Sequence, residues 1–261
     1  MMPATAPLMA RLYLDTVVRT KRTLIVGLVL VLVALLFAVA GILAQGPKER
    51  LGLYYLFLFG GPAGIVLQFC ALFFGAAAAA DEVENGTAVY LLSRPLSRPL
   101  TFLGRLAAAW GVLAVLMSVL NLLVGLFTGG PTHLHRILLA EIPILVGCGV
   151  YVALFSLLAL LVRNALAVGA VVSLLWDFPL SSVPIDLHLL TLRYPLLCLV
   201  RGVAMDYEDP DYQALWSSGM YRVFEQSPWT SFVVLLLAFA AMTVVATRLS
   251  ARRPVNLRQT Q

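Results

Sequence analysis

Charge is what this chain has least of: 12% of its 261 residues are Asp, Glu, Lys or Arg, against 61% apolar residues and a mean hydropathy of +0.93. A soluble globular domain carries about twice that charge, so that class is excluded. Lysine is scarcer still, with only Lys21 and Lys48, which follow Thr20 and Pro47. A phosphate-binding loop needs a Gly-Lys-Ser/Thr element, so this chain cannot hydrolyse ATP by that route. The three cysteines, Cys70, Cys148 and Cys198, have no metal-like spacing, and no disulfide framework is implied. His133 and His135 form an i, i+2 pair with too few companions for a tetrahedral metal site. The acidic run Asp206 to Asp211 lacks the glycine and ligand spacing of a calcium loop. Neither a Ser/His/Asp set nor an HExxH motif is present, so no enzymatic chemistry is expected.

What the chain has in abundance is long apolar runs. In lipid each backbone amide must be satisfied within its own segment, and these runs lack the alternation of barrel strands. The fold class is therefore an all-α polytopic membrane protein. Six spans are expected, at residues 24–44, 53–80, 106–127, 137–162, 165–185 and 230–247. The first run is too long for a signal-peptide core and reads as a span. Ahead of it, Leu8, Met9, Leu12, Tyr13 and Val17 share one helical face and Arg11, Asp15, Arg19 and Arg22 the other, as in an interfacial amphipathic helix. No internal repeat or linker divides residues 1–261, which are read as a single domain.

Positive charge orients the spans. Arg11, Arg19, Lys21, Arg22, Arg94, Arg98, Arg105, Arg163, Arg248, Arg252, Arg253 and Arg258 fall on one side, twelve of the eighteen basic residues. That side is expected to be cytoplasmic, with both termini on it. The basic excess is thus a topology signal, and no nucleic-acid partner is implied. Between Asp186 and Pro228 an apolar stretch could pass for a seventh span; helices that dip into or lie on the outer leaflet, broken at Pro195, fit it better.

Polar residues inside apolar spans are the candidate functional residues. Asp177 lies about 18 Å along a helix beginning at Ala165, at 1.5 Å per residue. Two placements fit: deep in the bilayer, lining a translocation path or bracing a dimer, or at the outer mouth of a short, tilted span. Gln68 and Asn121 fall within the second and third spans, where amides commonly join helices; polarity along a translocation path is the second reading. Glu141 opens the fourth span beside Arg136, an expected interfacial anchor pair.

The polar interruption between spans two and three runs DEVENGTAVYLLSRPLSRPLTFLGR from Asp81 to Arg105. Asn85-Gly86 signals a stop, Thr87 can cap a short helix carrying Val89, Tyr90, Leu91 and Leu92, and Pro95 and Pro99 frame a second break. On charge alone this is an ordinary solvated loop. Its pattern, Glu82-x-Glu84-Asn85-Gly86-Thr87-x3-Leu91-Leu92-Ser93-x-Pro95-Leu96-Ser97-Arg98, resembles the permease subunits of type-2 ABC exporters, in particular the NosY-like six-span group. The resemblance covers the whole six-span layout, and where members often carry a lysine after the Pro-x-Ser-Arg element this chain has Arg105.

The resemblance implies that the loop is a cytoplasmic coupling helix docking on an ATPase, with Glu82, Glu84, Gly86, Thr87, Pro95 and Arg98 as the coupling site. It further implies a permease homodimer in the bacterial inner membrane with two cytosolic ATPase subunits, which hold the ATP and Mg; no cofactor is expected in this chain. The cargo is unidentified, and the apolar spans suit an amphipathic or lipid-like substrate. From another class, the chain could be a membrane anchor or scaffold that recruits a cytosolic partner through residues 81–105 without transporting anything.

Overall fold

The computed structural model describes residues 21–44, 46–59, 62–84, 98–128, 133–162, 164–177, 179, 189–204 and 226–252. Within these the chain is all helical. Helix α1 spans Lys21–Leu43 and α2 Pro47–Phe59; a π-helical segment, Pro62–Val66, leads into α3, Leu67–Glu84. Then follow α4 (Arg98–Thr128), α5 (Leu134–Leu139), α6 (Glu141–Leu161), α7 (Ala165–Val171) with a second π segment at Val172–Asp177, α8 (Arg193–Ala204) and α9 (Pro228–Arg252). The expected amphipathic helix before Lys21 and the centre of the 81–105 loop lie outside the described residues.

Among the described residues five stretches are long and apolar enough to cross a membrane: Thr23–Leu43, Glu49–Ala79, Pro99–Thr128, Leu134–Leu161 and Pro228–Ala251. The protein is a multi-pass membrane protein by helix length and hydropathy. Its surface agrees, since Leu24, Leu28, Leu35, Ile42, Trp229 and Leu237 are all at least 60% exposed, an apolar coat that water would not tolerate. The expected fifth span, 165–185, is helical from Ala165 to Asp177, and that apolar stretch falls short of the roughly 20 residues a crossing needs. Of its remainder only Pro179 is described.

The second span departs from a plain helix in a way its sequence explains. Pro62 follows Gly60 and Gly61, and a proline cannot donate the i to i−4 bond, so the helix widens to a π turn there. Helices α5 and α6 behave oppositely: Ala140 keeps right-handed helical angles (φ −64°, ψ −18°) and its N–H still bonds to Arg136, so the two run on as one span. At the other end of α6, Val162 turns extended and stops it.

Helices α3, α4 and α6 pack on one another at the centre, α7 lies on α3 and α6, α1 packs on α4, and α9 lies on α6, α8 and α4. Small residues permit the closest crossings, because lipid offers no hydrophobic drive and helices gain instead by backbone approach. A Cβ at Gly75 of α3 would lie 2.8 Å from the Val152 carbonyl and 2.9 Å from Phe155 Cβ of α6. Likewise a Cβ at Gly41 of α1 would lie 2.7 Å from the Phe127 carbonyl of α4.

Helix α8 corrects the sequence reading. It is not broken at Pro195, which sits in the first turn where its missing N–H has no partner to lose. Gly147 of α6 faces Leu196 near the start of α8, and Gly202 near its end faces Pro228 at the start of α9. The helix thus runs from beside α6 at Gly147 to the start of α9. It is a half-helix with its N-terminus sunk among the spans.

Candidate functional site

What receives that sunken N-terminus is Asp177. The residue is 5% exposed, and its carboxylate takes hydrogen bonds from four donors on three other elements. The backbone N–H groups of Leu192 (3.0 Å) and Arg193 (3.2 Å) donate to Oδ1. Gln68 Nε2 of α3 (2.6 Å) and the Tyr151 hydroxyl of α6 donate to Oδ2. Gln68 Nε2 also donates to the Tyr151 oxygen at 2.9 Å, closing a triangle between α3, α6 and the end of α7. Thr191 Oγ1 accepts from Tyr194 N (3.3 Å), so the first turn of α8 is capped twice over.

The depth of this cluster follows from helix geometry. Along the continuous span Leu134–Leu161, Tyr151 lies seventeen residues from one end and ten from the other, about 25 Å and about 15 Å. Asp177 bonds to Tyr151 and so sits at that level, buried inside the bundle. A carboxylate there needs donors in place of water, and the first turn of α8 supplies two of them with the positive end of its dipole. Arg193 is itself buried, its guanidinium against Gly64, where a Cβ would come within 3.1 Å of Nε. Both π-helical segments therefore border one cluster. A tighter α-helical turn at either would re-aim the groups that meet there.

A second cluster lies nearer one end of the bundle. Asn121 of α4 accepts from the Tyr54 hydroxyl (3.1 Å) and donates through Nδ2 to the Ile137 carbonyl (3.0 Å) and to Glu141 Oε1 (2.8 Å). Arg136 donates to the Tyr55 hydroxyl at 2.9 Å. The residues expected to anchor each other, Glu141 and Arg136, thus bond to Asn121 and Tyr55. Asn121 joins α2, α4, α5 and α6; Gln68 joins α3, α6 and α7.

The other candidate positions are placed as follows. Glu82 and Glu84 lie in the last turn of α3 and Arg98 opens α4; their side chains, and all of Gly86, Thr87 and Pro95, lie outside the described residues. Arg105 is 3% exposed, buried where the sequence suggested a surface charge. Cys70, Cys148 and Cys198 are buried free thiols. Among the described residues no three His, Cys, Asp or Glu side chains come together as a metal site.

Sequence reasoning missed Tyr151, Tyr54 and the two backbone donors of α8. A tyrosine in an apolar run reads as packing, and no sequence signal identifies a backbone N–H as a carboxylate partner. Comparison of the chain with protein-family models and with curated proteins gives no match.

Proposed function

We propose that this chain is the membrane permease subunit of an ABC exporter, driven by a separate cytosolic ATPase that docks on the 81–105 loop. What carries the reading is the loop pattern from Glu82 to Arg98 together with its position. It joins α3 and α4, two central spans that pack on each other, and α3 packs along α6 as well. Helix α4 has 31 residues, about 46 Å, and so outreaches a hydrocarbon core of about 30 Å by several turns. A force applied at residues 82–98 acts on two rigid levers that enter the core of the bundle.

In this reading two permease copies and two ATPase subunits form the complex, in a bacterial inner membrane with the loop and both termini in the cytoplasm. Closure of the ATPases around Mg-ATP displaces the Glu82, Glu84, Gly86, Thr87, Pro95 and Arg98 element, tilts α3 and α4, and opens a path for an amphipathic or lipid-like cargo. Here residues 165–185, of which Ala165–Asp177 is described as helical, count as the fifth of six spans.

The test is affinity purification of the tagged chain in mild detergent from its native host. Recovery of an ATPase subunit whose turnover is lost on Glu84→Lys or Gly86→Leu supports the exporter. Recovery of a partner without nucleotide turnover supports a scaffold, and recovery of no ATPase refutes the proposal.

A further inference from the structure

Helix α3 has two ends with different business. Its last turn, at Glu84, enters the 81–105 loop; sixteen residues earlier, about 24 Å away at 1.5 Å per residue, Gln68 holds Asp177. Asp177 in turn holds the N–H groups of Leu192 and Arg193. Between the two ends α3 has no proline, and its Gly75 is clamped against Val152, Phe155 and Ser156 of α6. It is a stiff rod in a fixed groove.

We propose that Gln68 and Asp177 form a tether that makes the buried end of α8 follow α3, so that movement at the loop is delivered to α8 at the far side of the bundle. Three observations carry it. The hydrogen bonds are directional and converge on one carboxylate, so the first turn of α8 is held by groups from α3 and α6 through Asp177. Asp177 closes one π-helical segment and the other borders the cluster through Gly64 beside Arg193, so the tether sits where these helices depart from regular bonding. Finally, α8 also packs on the start of α9 through Gly202 and Pro228, so displacing its buried end pivots it about that contact. Gln68 and Asp177 are positioning residues in this scheme, and no cargo contact is assigned to them.

The tether stands on the geometry alone; the delivery of movement from the loop rests on the exporter reading. The test therefore has two arms. In the first, the full chain in lipid nanodiscs, without any partner, is followed by amide hydrogen exchange over residues 189–200. Gln68→Met keeps length and volume while removing both amide donors; Asp177→Asn keeps shape while removing the carboxylate. Each is expected to speed exchange of the first turn of α8 by about three- to fifteen-fold. The double variant is expected to exchange no faster than Asp177→Asn alone, because Gln68 acts on α8 through Asp177. Additive effects, or protection unchanged in Gln68→Met, overturn the tether, and unaltered exchange across α6 in the same samples shows that the variants are folded.

In the second arm the complex with its copurified ATPase is compared with and without ATP. The expected result is a nucleotide-dependent change in α8 exchange that Gln68→Met abolishes while ATP turnover continues. A nucleotide-dependent change that survives Gln68→Met overturns the delivery role. Absence of any ATPase sinks the exporter reading and the delivery role with it, leaving the tether to the first arm.

Discussion

Replacing Gly75 by alanine isolates the closest backbone approach in the central bundle. The new methyl would lie 2.8 Å from the Val152 carbonyl oxygen, 2.9 Å from Phe155 Cβ and 3.1 Å from Ser156 N. All three belong to the α6 backbone or its first side-chain atom, so no rotamer change can relieve them. Ordinary contact begins near 3.4 Å, and α3 and α6 must separate by about half an ångström over a groove packed to native density. Such overpacking costs about 1–3 kcal/mol, against a helix-propensity gain for alanine of up to about 1 kcal/mol. With the full propensity gain the net expectation is a loss of about 0–2 kcal/mol, and more where that gain is smaller. Gly111 of α4 supplies the control, since nothing lies within 4 Å of its Cβ position; Gly111→Ala should be neutral or stabilising by up to about 1 kcal/mol. Thermal unfolding in detergent, followed by helical circular dichroism and by the monodisperse fraction on size exclusion, compares the two. If Gly75→Ala proves as stable as Gly111→Ala, the α3–α6 crossing described above is wrong.

Three further outcomes follow from the same physics. Gly202→Ala places its methyl 1.9 Å from the Pro228 ring, a contact with no room to yield, so it should destabilise more than Gly75→Ala and raise hydrogen exchange where α8 meets α9. Asn121→Leu strips partners from Tyr54 and Glu141, with an expected loss on the order of 1–2 kcal/mol; a double-mutant cycle with Tyr54→Phe should show coupling, and strict additivity would refute the Tyr54–Asn121 bond. The Ser173 hydroxyl is buried with no hydrogen-bond partner among the described residues, so Ser173→Ala should leave stability unchanged or raise it by about 1 kcal/mol, and a marked loss would reveal a partner.

The expectations that met the structure best were those set by local composition. Apolar runs over 24–44, 106–127 and 230–247 required helices whatever their neighbours, because lipid allows the backbone no other partner. Residues whose meaning depends on distant partners were read less well. Pro195 looked like a break because proline usually is one, yet it falls in a first turn where nothing is lost. Arg105 looked solvated because charge usually is, and it is buried. The bonds of Glu141 to Asn121 and of Arg136 to Tyr55 join residues at least 20 positions apart in sequence and were not legible there.

By itself the sequence determined that this is a helical protein of the membrane, where its long spans run, and that Asp177, Gln68 and Asn121 are out of place in them. Period, length and hydropathy are local quantities, and a bilayer reads them directly. Only the tertiary structure decided that Asp177 is buried inside the bundle, that Gln68 and Tyr151 converge on it, and that the first turn of α8 meets it. A lone carboxylate in lipid must find donors, but which donors reach it depends on the packing of residues more than a hundred positions apart.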